Sequence, residues 1–134
     1  MGETAATDTG PAAQAEDWAA AFFNDADKLH LPTLMNWFGE AIDLRLGNNP
    51  PITGLDNVHQ TFEQFWSTLK GMKHERQQLV VDGDTVFQGS IVTYTRLDDK
   101  QVSMPVASHL RRRADGRLDR LWIYIDMSPL FTEE

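Results

Sequence analysis

Three turn signals in the second half of the chain constrain its fold most strongly. Asp82-Gly83, Asp115-Gly116 and the looser turn at 97–100 divide residues 73–126 into four segments. Asp-Gly favours the two-residue turns that join antiparallel strands. The pattern therefore predicts an antiparallel meander of four strands.

The first half of the chain shows helical periodicity instead, interrupted by one strand. Apolar residues recur at helical spacing over 17–23, 32–39 and 54–71, which predicts three helices. Apolar and charged residues alternate over 41–46, which predicts a half-buried strand. The expected order is helix, helix, strand, helix and then the meander.

This order of elements predicts an α+β fold. A bent antiparallel sheet with three N-terminal helices on its concave face would form a cone that is open at one end. The convex face would carry Trp122 and Tyr124, which is an unusual apolar patch for an exposed sheet. We therefore expect a homodimer that forms through this face.

The domain limits follow from the distribution of large apolar residues. After the initial Met, residues 1–15 contain no large apolar side chain, so we expect a flexible N-terminal tail. Residues 16–134 are expected to form a single domain of common size.

Composition excludes several classes of function. The net charge of −8 argues against a nucleic-acid partner, because phosphate binding needs a basic face. The chain has no cysteine, and its four histidines lack the i,i+4 pairing of a helical metal site. We therefore expect no metal and no cofactor. The sequence contains no apolar run of membrane-spanning length and no signal-peptide pattern. We expect no membrane association and a cytoplasmic location.

One titratable residue stands out in the third strand of the meander. His109 shares an alternation face with Pro105 and Ala107, where a packed sheet normally places apolar side chains. It is either a core histidine with a hydrogen-bond partner or the polar point of a ligand pocket. Burial would keep its imidazole neutral and able to transfer protons near pH 7.

Two segments carry a resemblance to a known family. The turn Val-Asp-Gly-Asp-Thr-Val at 81–86 is the first. The second is Ala-Asp-Gly-Arg-Leu running into Ile-Tyr-Ile-Asp-Met-Ser-Pro-Leu within 114–130. With the element order, these segments resemble the nuclear transport factor 2-like superfamily, and the nearest branch is the SnoaL-like polyketide cyclases. The resemblance covers about residues 16–131 and implies the cone-shaped fold. The superfamily also contains ketosteroid isomerases, dehydratases, epoxide hydrolases and binding modules.

Some of the family's functional residues are present at the corresponding positions of this sequence, and others are not. With the register fixed at Gly116, the cyclases' strand histidine corresponds to His109, but their inward aspartate corresponds to Ile123. The Arg and Asp of limonene-type epoxide hydrolases fall on Ser90 and Val92, which disfavours that chemistry. His109 is thus the family position that matches.

The resemblance also implies a set of candidate site residues. His109 is expected to transfer a proton, and Asp126 and Tyr124 are further catalytic candidates. The alternatives are that Asp126 caps a turn and that Tyr124 packs on the sheet face. Ser90 would donate a hydrogen bond into the pocket. The expected substrate-binding residues are Ser90, Val92, Trp37, Phe22, Leu44, Phe62, Met104, Ala107 and Ile123.

These residues and the resemblance together predict a small-molecule enzyme. It would perform cofactor-independent proton transfer on a hydrophobic carbonyl-containing substrate, leading to cyclisation, isomerisation or dehydration. The alternatives are a non-catalytic module that binds a hydrophobic ligand and a domain that serves dimeric assembly. A cavity of roughly 300 Å³ or more with His109 on its wall would favour a ligand, and a filled core would favour assembly.

Overall fold

Three helices and a bent six-stranded sheet form the part of the chain that the structure describes. The computed structural model describes residues 11–132, with side chains from residue 14 onward. The elements in chain order are α1 (Pro11–Ala26), α2 (Leu31–Met35), β1 (Phe38–Leu46), β2 (Ile52–Thr53), α3 (Leu55–Trp66), β3 (Leu69–Asp82), β4 (Thr85–Arg96), β5 (Gln101–Arg112), β6 (Leu118–Ile125) and a 3-10 turn (Ser128–Phe131). This α+β architecture confirms the fold expected from the sequence.

The sheet has the strand order β2-β1-β6-β5-β4-β3. Its strands pair antiparallel except for β1 and β6, which run parallel. The meander and its two Asp-Gly turns are confirmed, since Gly83 and Gly116 have φ angles of 62° and 87°. Glycine adopts this left-handed region without steric cost, which fits the tight turns. The meander therefore forms four of the six strands.

The first half of the chain differs from the prediction at four places. Helix α3 ends at Trp66, and Leu69, which was expected in that helix, begins β3. Helix α1 begins at Pro11, before the expected start near Asp17. Helix α2 ends at Met35, and Phe38 begins β1, where it pairs with Leu118. Strand β2 was not predicted, because two residues are too short for a periodic signal. The part of the expected flexible tail at residues 1–10 lies outside the described residues.

The hydrophobic core lies between the helices and the concave face of the sheet. Phe22 of α1 and Phe62 of α3 are buried there with Phe38, and the rings of Phe38 and Phe62 stack at 6.1 Å. Burying such a side chain contributes about 1.5–3 kcal/mol. None of the helices between residues 11 and 132 is long and apolar enough to cross a membrane.

Strand β5 faces the opposite way from the prediction. Val106, Ser108 and Leu110 are buried on the concave side, whereas His109 and Ala107 lie on the convex side. His109 pairs with Phe87 on β4 and with Trp122 on β6, and directly paired residues share a face of the sheet. The expectation that His109 lies on the concave wall is therefore wrong.

Candidate functional site

A small cavity lies between the helices and the concave face. Its volume is about 50 Å³, which is room for a few water molecules. Its wall is mostly apolar and includes three polar residues, His74, Tyr94 and Ser108. The cavity is smaller than the roughly 300 Å³ expected of a ligand pocket. A cyclic molecule would enter only if the wall moved, and Met72 and Met127 supply flexible side chains there.

One polar residue of the cavity wall, His74, is held from behind by an aspartate that is distant in sequence and lies outside the wall. Asp27 directly follows α1, and its N–H donates to the carbonyl of Phe23 at 2.9 Å. His74 lies on β3, and its backbone N–H donates to Asp27 Oδ2 at 2.8 Å. The ring Nδ1 lies 2.7 Å from Asp27 Oδ1. The carboxylate therefore fixes both the backbone and the ring of His74.

This contact determines which ring nitrogen of His74 is available. With Nδ1–H donating to the carboxylate of Asp27, a neutral ring carries its lone pair on Nε2. Within the described residues, Nε2 has no hydrogen-bond partner. The ring of Phe23 packs against the imidazole at 4.9 Å, and the His74 side chain is 11% exposed. The contact with Asp27 thus fixes the orientation of the His74 ring at the cavity wall.

Tyr94 supplies a hydrogen-bond donor on the same face. His74 pairs with Val92 across the β3–β4 ladder, so Tyr94 is its diagonal neighbour. Burial raises the pKa of the Tyr94 hydroxyl, and the negative charge of Asp27 raises it further. The hydroxyl therefore keeps its proton, and it makes no hydrogen bond within residues 14–132. Phe65 packs edge-on against its ring at 5.6 Å.

A second polar group lies under α1, beside the cavity. Arg76 Nε donates to Gln88 Oε1, and Gln88 Nε2 donates to Ser90 Oγ, each at 2.9 Å. Ser90 is buried on the concave side as expected, but it lies outside the cavity wall. Its hydroxyl is engaged with Gln88 rather than directed to a ligand.

His109 occupies an aromatic cluster on the convex face. Its ring stacks on Phe87 at 4.3 Å and meets Trp122 edge-on at 4.9 Å. Burial lowers the pKa of His109, and the charges of Arg120 and Arg111 lower it further. Its Nε2 is buried without a partner among the described residues. The whole sheet separates His109 from the cavity.

The other two catalytic candidates also lie away from the cavity. Tyr124 is on the convex face and is 55% exposed. Asp126 Oδ1 accepts a hydrogen bond from the Ser128 N–H at 3.0 Å, which lowers the pKa of Asp126. Asp126 thus closes a turn onto Ser128, as in the alternative considered from the sequence. Ala107 is exposed on the convex face and does not line the cavity.

The expected wall residues divide into two groups. Phe22, Phe62 and Ile123 line the cavity. Four others lie outside it in the packed structure: Val92, Leu44, Met104 and Trp37. The indole N–H of Trp37 donates to Asp25 at 2.9 Å, so this residue ties β1 to the end of α1. Within the described range, no three His, Cys, Asp or Glu side chains gather closely enough to hold a metal ion.

The fold and this cavity define a class of protein. Helices on the concave face of a bent, unclosed sheet are the architecture of the nuclear transport factor 2-like superfamily. Residues 15–121 match the model of the SnoaL-like domain. The chain belongs to this family, as the sequence motifs indicated. No curated protein matches its sequence.

Solved structures share this fold at low sequence identity. The epoxide hydrolase/cyclase-like enzyme SalBIII, which has a role in pyran ring formation in the polyether salinomycin, is 13% identical with a TM-score of 0.76, covering 88% of this chain and 95% of its own. A putative SnoaL-like polyketide cyclase from Shewanella putrefaciens is 12% identical with a TM-score of 0.76, covering 87% and 93%.

A third similar structure has a ketosteroid isomerase-like fold. This hypothetical protein from Catenulispora acidiphila, in complex with trimethylamine, is 13% identical with a TM-score of 0.72, covering 83% of this chain and 86% of its own. At these identities the likeness shows the fold alone.

Proposed function

We propose that this protein catalyses cofactor-independent proton transfer on a small, hydrophobic carbonyl compound. The observation that carries the proposal is the Asp27–His74 pair, which leaves Nε2 of a fixed imidazole as a base on an apolar wall. Cofactor-independent proton transfer is also the reaction class expected from the sequence. The proton-transferring residue is His74 instead of His109.

The proposed reaction begins with a proton on the carbon next to a carbonyl. The C–H bond breaks, the proton passes to His74 Nε2, and the electron pair forms an enolate. The Tyr94 hydroxyl donates a hydrogen bond to the enolate oxygen, and Asp27 stabilises the imidazolium. Return of the proton at another carbon gives isomerisation, loss of a leaving group gives dehydration, and attack on a second carbonyl gives cyclisation.

Exchange of carbonyl α-protons tests this proposal without knowledge of the natural substrate. We expect the protein to accelerate deuterium uptake at C2 of 1-indanone in D₂O, measured by NMR. His74→Gln should remove the acceleration, since glutamine has no basic nitrogen. Lys73→Gln, the adjacent residue on β3, is the matched control and should keep it. No acceleration over buffer by the folded protein would contradict the proposal.

A second candidate function, dimeric assembly with a filled interior, is favoured by the small cavity. A volume of about 50 Å³ does not admit a cyclic ligand without movement of the wall. A third alternative from the sequence is binding of an apolar ligand without catalysis, which requires movement of the wall but no proton transfer. The exchange experiment separates both from catalysis, because neither requires His74 to accept a proton.

We also propose that the protein forms a homodimer through the convex face of the sheet. Phe87 and Tyr124 are 42% and 55% exposed there, beside the half-buried Trp122. Large aromatic groups on one exposed sheet face are typical of an interface. The cytoplasmic location expected from the sequence stays a prediction.

A further inference from the structure

One residue of the cavity wall carries a hydrogen-bond donor that no group of the described residues satisfies. Trp66, the last residue of α3, is 6% exposed and lines the cavity. Its indole Nε1 is buried, and it has no hydrogen-bond partner within residues 14–132. A buried N–H without a partner is destabilising, and such groups are rare in folded proteins. This donor therefore needs an explanation.

Two of the four tryptophans have a hydrogen-bond partner for the indole nitrogen within the described range, and two do not. Trp18 Nε1 donates to the carbonyl of Gly116 at 2.7 Å, and Trp37 Nε1 donates to Asp25 at 2.9 Å. The indole nitrogens of Trp66 and Trp122 have no partner among the residues that the structure describes. Trp122 lies on the convex face between Arg45 and Arg120, whose guanidinium carbons are 4.0 and 4.4 Å from its ring. Trp66 is thus the unpaired indole that belongs to the cavity.

We infer that Trp66 Nε1–H binds a hydrogen-bond acceptor of the ligand, so that the site selects oxygen-bearing cyclic compounds over hydrocarbons of the same shape. This inference rests on the proposed function and adds a specificity-determining residue to it. The N–H is shielded even from water in this structure, so the acceptor reaches it when the ligand spreads the wall. A hydrocarbon would open the same wall and leave the N–H unpaired, which lowers its affinity.

The matched probes for this inference are 1-indanone and indane, which differ by one carbonyl oxygen. Binding of each to the full chain is measured by NMR titration, with the Trp66 indole signal assigned by its loss in Trp66→Phe. We expect 1-indanone to bind more tightly than indane and to shift the Trp66 indole proton downfield. Indane should leave that proton without a downfield shift.

The decisive quantity is the ratio of the two affinities in each variant. Trp66→Phe enlarges the cavity for both probes, so the ratio cancels the change in volume. We expect the ratio to fall about 5- to 10-fold in Trp66→Phe, the loss of one buried hydrogen bond. Trp122→Phe removes the other unpaired indole, outside the cavity, and should leave the ratio unchanged.

Two outcomes would overturn the inference. One is an unchanged affinity ratio in Trp66→Phe, and the other is failure of both probes to bind the folded wild-type protein. In the first case, retained His74-dependent deuterium exchange would show that the proposed function stands and that the Trp66 assignment alone is wrong. In the second case, absence of exchange as well would show that the proposed function has failed too.

Discussion

Asp27 binds His74 through both of its carboxylate oxygens, at 2.8 Å to the backbone N–H and at 2.7 Å to the ring Nδ1. One side chain at the end of α1 thus attaches the helix to β3 and sets the orientation of the imidazole. The same contact has a structural role and a chemical one, and substitutions of Asp27 separate them.

Asp27→Asn keeps the size of the side chain but removes its charge. We expect the variant to fold and to lose at least about tenfold in His74-dependent exchange, because the amide no longer fixes the productive tautomer or stabilises an imidazolium. Asp27→Ala removes both hydrogen bonds and should lower the free energy of unfolding by about 1–3 kcal/mol. Exchange kinetics and urea denaturation measure the two effects.

Asp25 provides the control for these variants. It lies two residues away and accepts the hydrogen bond from Trp37 Nε1 at 2.9 Å. Asp25→Ala should therefore lower stability and leave the exchange rate of the folded protein unchanged. Equal loss of exchange in Asp25→Ala and Asp27→Asn would show that the dyad has no special role.

The two tyrosines of the chain form a matched pair for testing the oxyanion donor. Tyr94 is buried beside His74, and Tyr124 is 55% exposed on the opposite face. We expect Tyr94→Phe to slow exchange by about 10²-fold, the typical effect of removing one oxyanion donor. Its stability should change little, because the hydroxyl has no partner among the described residues. Tyr124→Phe should leave the rate as it is, and similar rates in both variants would count against the role of Tyr94.

The proposed dimer predicts that a charge on the convex face alters the mass in solution. Phe87 is 42% exposed and stacks on His109. We expect the wild type to sediment as a dimer and Phe87→Glu to sediment as a monomer, since a buried unpaired charge opposes association. Leu97→Glu is the control, because Leu97 is 59% exposed in the β4–β5 turn. A monomeric wild type at micromolar concentration would exclude the dimer.

His109 predicts a particular pH dependence of stability. Burial and the neighbouring arginines hold the pKa of His109 below 6.5 in the folded protein. On acidification, His109 is therefore protonated at a higher pH in the unfolded chain than in the folded protein. The free energy of unfolding should therefore fall as the pH drops below about 6.5, down to the folded pKa. His109→Gln should show a shallower fall over this range in urea titrations. Identical slopes in both proteins would mean that the pKa of His109 is the same in the folded and unfolded states.

The meander was predictable because its turns are local signals. Asp82-Gly83 and Asp115-Gly116 need only neighbouring residues to specify a tight turn, and both glycines have the expected positive φ. The first turn has two residues between paired strand ends and the second has three, closed by the Arg113 N–H and the Arg117 carbonyl. The family motifs lie in these same turns. Strand β2 and the early end of α2 were not predictable, because they depend on pairing with β1 and β6 rather than on periodicity.

The phase of β5 was misassigned because both of its faces carry small or apolar residues. Pro105 and Ala107 alternate with Val106 and Leu110, so periodicity alone does not say which set is buried. The neighbouring strand, β6, indicates which set of β5 residues is buried. Pairing across the Asp-Gly turn sets His109 opposite Trp122, which the sequence had placed on the convex face.

The Asp27–His74 pair had no sequence signal of its own. The two residues are 47 positions apart, and their contact depends on how α1 crosses β3. Asp27 follows a polar segment that indicates only the end of a helix, and His74 lies in a strand rich in charged residues. A polar pair formed by tertiary packing is visible only once the helix is placed on the sheet.

His74 and His109 are compared most directly in a single exchange measurement. The rate of deuterium uptake at C2 of 1-indanone is determined for wild type, His74→Gln and His109→Gln, each shown to be folded. We expect His74→Gln to reduce the protein-dependent rate to that of buffer and His109→Gln to retain it. Full exchange in His74→Gln, or its loss only in His109→Gln, would contradict the assignment of His74 as the base.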